Sequence, residues 1–123
     1  KECINYLDIN FIPYFPLASG FLTGKYSKNH IPSNSRGEWA TYMKKMLNTK
    51  HYHFIDELRL VATSYNISLT ELSISWLLHH SNITSVICGV RNIEQLKTNA
   101  KSINCKITKS DINNIDKIFN KYL

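Results

Sequence analysis

The sequence lacks any long hydrophobic run. No stretch of its 123 residues approaches the roughly 18 to 20 apolar residues that a membrane-spanning helix needs. The first residues, "KECINYLDIN", contain no apolar core of a secretory signal peptide. With 43% apolar and 20% charged residues, the composition is that of an ordinary globular domain. We therefore expect one domain over residues 1–123 of a soluble, cytoplasmic protein that makes no membrane contact.

Cysteine and histidine are too few and too scattered for a metal or disulfide framework. Cys3, Cys88 and Cys105 are odd in number, far apart and in no C-x-x-C arrangement, so we expect reduced thiols. His51 and His53 form an H-x-H pair, but no further ligand stands at matching spacing. We predict no metal site. Ser-His-Asp, H-E-x-x-H and G-x-S-x-G patterns are also missing, which leaves hydrolase chemistry without support.

Acidic residues are in the minority, with 9 Asp and Glu against 15 Lys and Arg and a net charge of +6. Such a balance is compatible with nucleic acid, a membrane surface or an anionic small molecule. The basic residues are scattered, which favours a solvated surface instead. Residues 56–80 have the layout of a helix-turn-helix, but the second helix carries apolar side chains where base-reading polar ones are required. We expect no nucleic-acid partner.

The apolar pattern predicts helices that alternate with two short strands. Residues 2–7 end a helix, and the compact apolar runs "INFIPY" (9–14) and "TSVIC" (84–88) are predicted strands buried on both faces. A long loop is predicted from Phe15 to Gly37. Three helices are expected over residues 39–47, 52–65 and 109–122. A fourth runs through Leu72, Trp76 and His79 after a capping box of Ser68 and Glu71, and a fifth is capped by Asn92.

Strands that are apolar on both faces are typical of a parallel α/β sheet. Two such strands cannot form a sheet alone, because each would leave ladder groups unpaired at its outer edge. The chain is therefore expected either to form an oligomer through its unpaired strands or to be part of a larger fold.

The segment "GFLTGK" (20–25) follows the first predicted strand. A phosphate-binding P-loop needs four residues between its glycines and a Ser or Thr after the lysine, whereas three residues intervene here and Tyr26 follows. What remains is a glycine-bearing loop whose Lys25 can meet an anion, or simply a turn.

The segment "GVRNIEQLKTN" (89–99) follows the second predicted strand. Gly89 permits close backbone approach, and Arg91 stands at the mouth of a strand-to-helix turn. Gln95 and Asn99 are four residues apart and share one helix face. The pattern fits a seat for phosphate at a helix N-terminus, and it also fits an exposed polar helix face.

Taken together, two stretches resemble a known family. "IPYFPLASGFLTGKY" (12–26) and "ELSISWLLHHSNITSVICGVRNIEQLKTNA" (71–100) are similar to the C-terminal portion of bacterial aldo/keto reductases related to the voltage-gated potassium channel beta subunit. The resemblance implies an incomplete (β/α)8 TIM barrel in which the two strands are the seventh and eighth. It also implies NADPH-dependent reduction of a small-molecule carbonyl substrate, an aldehyde or a ketone. The chain would be a C-terminal fragment of a single reductase domain.

The resemblance further implies a cofactor site built from both motifs. Lys25 and Arg36 would reach over the bound nucleotide, and Arg91 would bind the 2′-phosphate with its planar fork. The loop along the pyrophosphate would be Tyr14, Phe15, Pro16, Leu17, Ala18, Ser19 and Gly20, and the adenosine end would lie on Gly89, Arg91, Gln95 and Asn99.

Two positions depart from the family pattern. Phe15 stands where the family often has Ser, and Thr98 where many relatives carry Glu. The family's catalytic tetrad of Asp, Tyr, Lys and His lies in the first half of the barrel and has no counterpart in this sequence. We therefore predict no catalytic residue, little reductase activity and weak or no NADPH binding for the chain by itself.

Overall fold

The structure, a computed structural model, describes residue 3 and residues 6–122, and within them six α-helices and two short 3-10 helices. The first 3-10 helix is Ala18–Thr23 and the second is Ser102–Asn104. The α-helices, numbered in chain order, are α1 Arg36–Trp39, α2 Thr41–Met46, α3 Thr49–Ser64, α4 Leu69–Leu78, α5 Ile93–Lys101 and α6 Lys109–Tyr122.

Side-chain caps explain where the longer helices begin. The Asn48 side chain accepts a hydrogen bond from the His51 amide at 3.1 Å, so α3 starts three residues before the predicted position. The predicted capping box is confirmed: Ser68 accepts from the Glu71 amide, and the Glu71 carboxylate accepts from the Ser68 amide. Asn92 caps α5 as predicted, and α6 spans the predicted residues 109–122.

The helix predicted over residues 39–47 is confirmed in part, as α2 over Thr41–Met46. Trp39 instead ends the separate short helix α1, because the backbone of Ala40 is extended, with φ −84° and ψ 115°. Ala40 is buried, and the break lets both α1 and α2 pack a residue, Gly37 and Met43, against the interior.

The core lies between α3, α4, α6 and the first 3-10 helix. Phe21 and Phe54 stack with ring centroids 6.2 Å apart, and Phe119 meets Phe54 edge-on at 5.1 Å. Leu72 and Ile115 are almost fully buried in the same cluster. The apolar faces predicted from helical spacing therefore form one interior. The loop before and through the first 3-10 helix and the turn before α5 are both attached to this interior.

The expectation of two buried strands is wrong for this chain. Among the described residues the two segments meet only as isolated parallel bridges, Phe11 with Ile83 and Tyr14 with Ile87. Hydrogen bonds join the Phe11 amide to the Asn82 carbonyl at 2.7 Å and the Ile87 amide to the Pro13 carbonyl at 3.0 Å. Phe11 is 45% and Ile87 61% exposed, because nothing within the described residues pairs with the outer edges.

Several smaller expectations concern the described residues. The helix end predicted over residues 2–7 falls partly on residues 1, 2, 4 and 5, which lie outside the described part; Cys3 and Tyr6 are helical. Cys3, Cys88 and Cys105 are free thiols. No helix in the described part is long and apolar enough to cross a membrane, and no group of three His, Cys, Asp or Glu in it could hold a metal ion.

Candidate functional site

One groove of about 680 Å³ lies between the loop after the first bridged segment and the turn after the second. Of the thirteen predicted site residues, Tyr14 and Ala18 do not line it. The other predicted residues do: Phe15, Pro16, Leu17, Ser19, Gly20, Lys25, Arg36, Gly89, Arg91, Gln95 and Asn99. Two motifs more than sixty residues apart in sequence therefore form opposite walls of one cavity.

The loop wall has an unusual backbone. Phe15, Ala18 and Ser19 have φ values of 68°, 43° and 61°, and Gly20 has φ 87°. Left-handed φ costs a non-glycine residue roughly 1–2 kcal/mol, so three such residues in five need support from their surroundings. Ser19 supplies it, because its buried hydroxyl bonds the Tyr42 hydroxyl at 2.6 Å and its carbonyl accepts from Tyr26 at 3.4 Å.

Lys25 lies directly against Gly20. A Cβ added at Gly20 would stand 2.8 Å from the Lys25 Cε atom and 2.9 Å from its Nζ atom. The ammonium also lies 5.1 Å from the centroid of the Tyr26 ring. The glycine therefore serves two needs, a left-handed backbone and room for the lysine at the groove wall.

Arg36 and Arg91 approach the groove from its two walls. The Arg36 Nη1 atom donates to the Ser19 hydroxyl at 3.1 Å, and its guanidinium carbon lies 5.4 Å from the centroid of the Phe15 ring. The Arg91 amide donates to the Gln95 side-chain carbonyl at 2.9 Å, and its Nη1 atom makes a long contact of 3.5 Å with the Asn34 carbonyl.

The groove is positively charged. Within the described residues, no ion pair involves Lys25, Arg36 or Arg91. The one acidic residue of the lining, Glu94, pairs with Lys97 at 3.0 Å. Three cations without a carboxylate partner make the cavity a natural site for an anion.

Gly89 differs from the other three glycines. Gly20 and Gly24 have left-handed φ, and at Gly37 an added Cβ would meet the Tyr26 ring at 2.5 Å. At Gly89 an added Cβ would meet nothing within 4 Å, and its φ is not left-handed. No contact or backbone strain in the described chain explains this glycine, whereas a ligand backed closely against the turn would.

Sequence reasoning did not assign several residues of the lining to the site, which are Thr23, Thr70, Cys88, Val90, Asn92, Glu94 and Thr98. It marks Thr98 only as a departure from the family pattern and Asn92 only as a helix cap. Burial raises the pKa of the Cys88 thiol, so it lies in the groove as a neutral thiol at neutral pH. Glu94 and Thr98 lie on α5 next to predicted positions and could have been found from the helical spacing, whereas Val90 lies in the turn between Gly89 and Arg91. Thr70 comes from α4, and only the fold brings it here.

A second, apolar cavity of about 210 Å³ lies behind the loop. Tyr14 and Phe15 line it together with Leu72 and Trp76 of α4. Tyr14 is 79% exposed and stays out of the groove, whereas Phe15 borders both cavities. Pro16 borders both cavities as well, so Phe15 and Pro16 together separate the polar space from the apolar space.

Comparisons with known proteins agree on one family. The model of the aldo/keto reductase family matches residues 1–120. The chain is 35% identical over 91 residues to a probable voltage-gated potassium channel subunit beta of Oryza sativa, with 72% of the chain and 28% of that protein covered. It is 34% identical over 101 residues to L-glyceraldehyde 3-phosphate reductase of Escherichia coli, with 78% and 29% covered.

A solved structure is similar in fold. The glycerol dehydrogenase of Gluconobacter oxydans matches with a TM-score of 0.77 at 18% identity, over 98% of this chain and 37% of that one. The chain thus spans less than a third of the length of the two curated relatives and little more than a third of the solved structure.

Proposed function

Because the chain belongs to the aldo/keto reductase family, we propose that it is the C-terminal part of an NADPH-dependent reductase and supplies the phosphate and adenosine site of the cofactor. The two bridged segments correspond in this proposal to the seventh and eighth strands of a (β/α)8 barrel. Barrels of this kind often bind phosphate at the loops after those strands, and the groove lies between those loops here.

The single observation that carries the proposal is the convergence on one groove of three cations that form no ion pair among the described residues. Lys25 comes from the first loop, Arg36 from the start of α1 and Arg91 from the turn after the second bridged segment. A dinucleotide phosphate that carries several negative charges needs such a set.

The residues fit the cofactor in a definite order. The strained loop around Ser19 and Gly20 would hold the pyrophosphate, with Lys25 as a nearby cation. Gly89 would leave room for the nucleotide, and Arg91, whose amide donates to the Gln95 side chain, would bind the 2′-phosphate. When bound, the dinucleotide supplies the hydride that reduces an aldehyde or ketone. The residues of this chain bind and orient it.

In this proposal the residues that catalyse the reaction are not part of this sequence. The family's catalytic tetrad has no counterpart among the residues of the chain, and the chain would lack the residues that bind the nicotinamide end of the cofactor. We therefore expect no turnover of a generic aldehyde by the purified chain with NADPH, followed as NADPH absorbance. Turnover at an ordinary enzymatic rate would contradict this part of the proposal.

Nucleotide selectivity tests the binding role. The chain is titrated with adenosine 2′,5′-bisphosphate and with adenosine 5′-monophosphate, which lacks the 2′-phosphate. We expect weak binding that favours the bisphosphate by about tenfold, or 1.4 kcal/mol, because one charge-assisted contact is worth about that much. Equal affinities would remove the 2′-phosphate assignment.

One observation favours a second candidate, a non-catalytic protein that pairs its bridged segments with another chain. Phe11, Ile12 and Ile87 are exposed on those segments. Light scattering separates the two: a concentration-independent dimer or higher oligomer supports the interaction role, whereas a monomer supports a reductase segment.

A further inference from the structure

Phe15 and Arg36 form a contact that the cofactor assignment does not use. We propose that Phe15 is a positioning residue, whose ring holds the Arg36 guanidinium at the groove in place of a carboxylate partner. The inference rests on the proposed function in one respect, since it concerns how the same groove recognises an anion.

The contacts of Arg36 fix the side chain without neutralising it. Its guanidinium carbon lies 5.4 Å from the centroid of the Phe15 ring, within the roughly 6 Å at which an aromatic face attracts a cation. Among the described residues, the one hydrogen bond of its guanidinium goes to the hydroxyl of Ser19, a neutral acceptor. An aspartate in the place of Phe15 would also hold the arginine, but it would cancel the charge that an anion needs.

The neighbouring groups of the described chain give Arg36 no carboxylate partner. Arg91, which is also a cation, contacts the carbonyl of Asn34 at 3.5 Å from the opposite wall. The carboxylate of this segment, Glu38, accepts from the Asn34 amide at 2.7 Å and forms no ion pair with either arginine in the described part of the chain.

Apolar packing accounts for Phe15 only in part. The residue borders the apolar cavity beside Leu72 and Trp76, but it is 49% exposed and lies outside the main hydrophobic cluster, and its backbone is left-handed, with φ 68°. A left-handed backbone at a large non-glycine residue costs conformational energy, which a favourable contact of its side chain can offset. The contact between the Phe15 ring and the Arg36 guanidinium is such a contact.

The test is a double-mutant cycle with inorganic pyrophosphate as the probe, on the full 123-residue chain. Phe15→Leu removes the aromatic face at similar size, and Phe15→Tyr keeps it. Loss of one cation–π contact predicts that Phe15→Leu weakens pyrophosphate binding about two- to fivefold, while Phe15→Tyr stays near the original affinity. In an Arg36→Gln background, Phe15→Leu is expected to have no further effect.

A spectroscopic readout keeps the inference testable if pyrophosphate does not bind. At a distance of 5.4 Å, the ring current of Phe15 is expected to displace the proton resonances of the Arg36 side chain in the free protein. This displacement should vanish in Phe15→Leu and persist in Phe15→Tyr, with circular dichroism confirming that both variants are folded.

The outcomes separate this inference from the proposed function. A displaced Arg36 signal without any anion binding supports the positioning role and counts against the cofactor site. Anion binding that Phe15→Leu weakens equally with and without Arg36 overturns the positioning role and leaves the cofactor site standing. An Arg36 spectrum that is the same in Phe15→Leu and the original chain also overturns it.

Discussion

Replacing Gly89 by alanine separates ligand binding from stability. The added methyl group meets no atom of the described chain within 4 Å, and the backbone of Gly89 is not left-handed. Reduced freedom of the unfolded chain should therefore leave the free energy of unfolding unchanged or raise it by up to about 1 kcal/mol. A nucleotide backed against the turn would clash with the methyl group at a cost of about 1–3 kcal/mol, roughly a five- to 150-fold loss of affinity.

Gly20→Ala is the matched control, because it changes a glycine of the same groove that the chain itself constrains. Its φ of 87° predicts a loss of about 1–2 kcal/mol of stability, whereas the end of the flexible Lys25 side chain can move away from the added methyl group. Urea unfolding and calorimetric titration with adenosine 2′,5′-bisphosphate measure the two quantities for both variants. If Gly89→Ala binds the nucleotide as tightly as the original chain, the ligand does not lie against Gly89. If Gly89→Ala is strongly destabilised, the claim that the space around Gly89 is open is wrong.

Three further predictions follow from individual contacts. Arg91→Gln should weaken binding of adenosine 2′,5′-bisphosphate about tenfold, whereas Lys117→Gln, which removes an exposed cation of α6 outside the lining, should change it less than twofold. Calorimetry that finds equal losses contradicts the assignment. Ser68→Ala should lower the free energy of unfolding in urea by about 1 kcal/mol by breaking the capping box, and an unchanged midpoint contradicts this. Hydrogen bonds from Tyr65 and Thr108 lower the pKa of Asp111 in the folded state, and hydrogen bonds from Lys121 and Tyr122 lower the pKa of Glu57. The stability that these two carboxylates contribute is therefore present above about pH 4 and is lost as the pH falls further. Tyr65→Phe should make the melting temperature fall less steeply in acid, and a decline as steep as that of the original chain would contradict this.

Local signals were sufficient for most of the helices. Ser68, Asn92 and the isoleucines of α6 act within one or two turns, so capping and spacing predicted those elements correctly. The break at Ala40 has no local signal, because alanine favours helix and the extended backbone there depends on what Gly37 and Met43 pack against.

The two predicted strands, unlike the helices, depend on parts of the fold that are distant in sequence. The apolar runs at Phe11 and Ile87 predicted buried strands, and this was wrong, because the described chain provides one bridge partner for each and leaves both residues exposed. The groove could be anticipated because both motifs carry glycine and basic residues at strand ends. Its charge balance could not, since it depends on Glu94 pairing with Lys97 while Arg36 lies on Phe15.

The location of the bound nucleotide tests the central claim most directly. Amide resonances of the isotope-labelled chain are followed while adenosine 2′,5′-bisphosphate is added. The account predicts that the shifts concentrate on the two walls of the groove, at Ser19 and Gly20 and over residues 89–95. Shifts centred on the exposed faces of α3 or α6, or no shifts at millimolar ligand, would contradict the claim that this chain holds the phosphate and adenosine end of the cofactor.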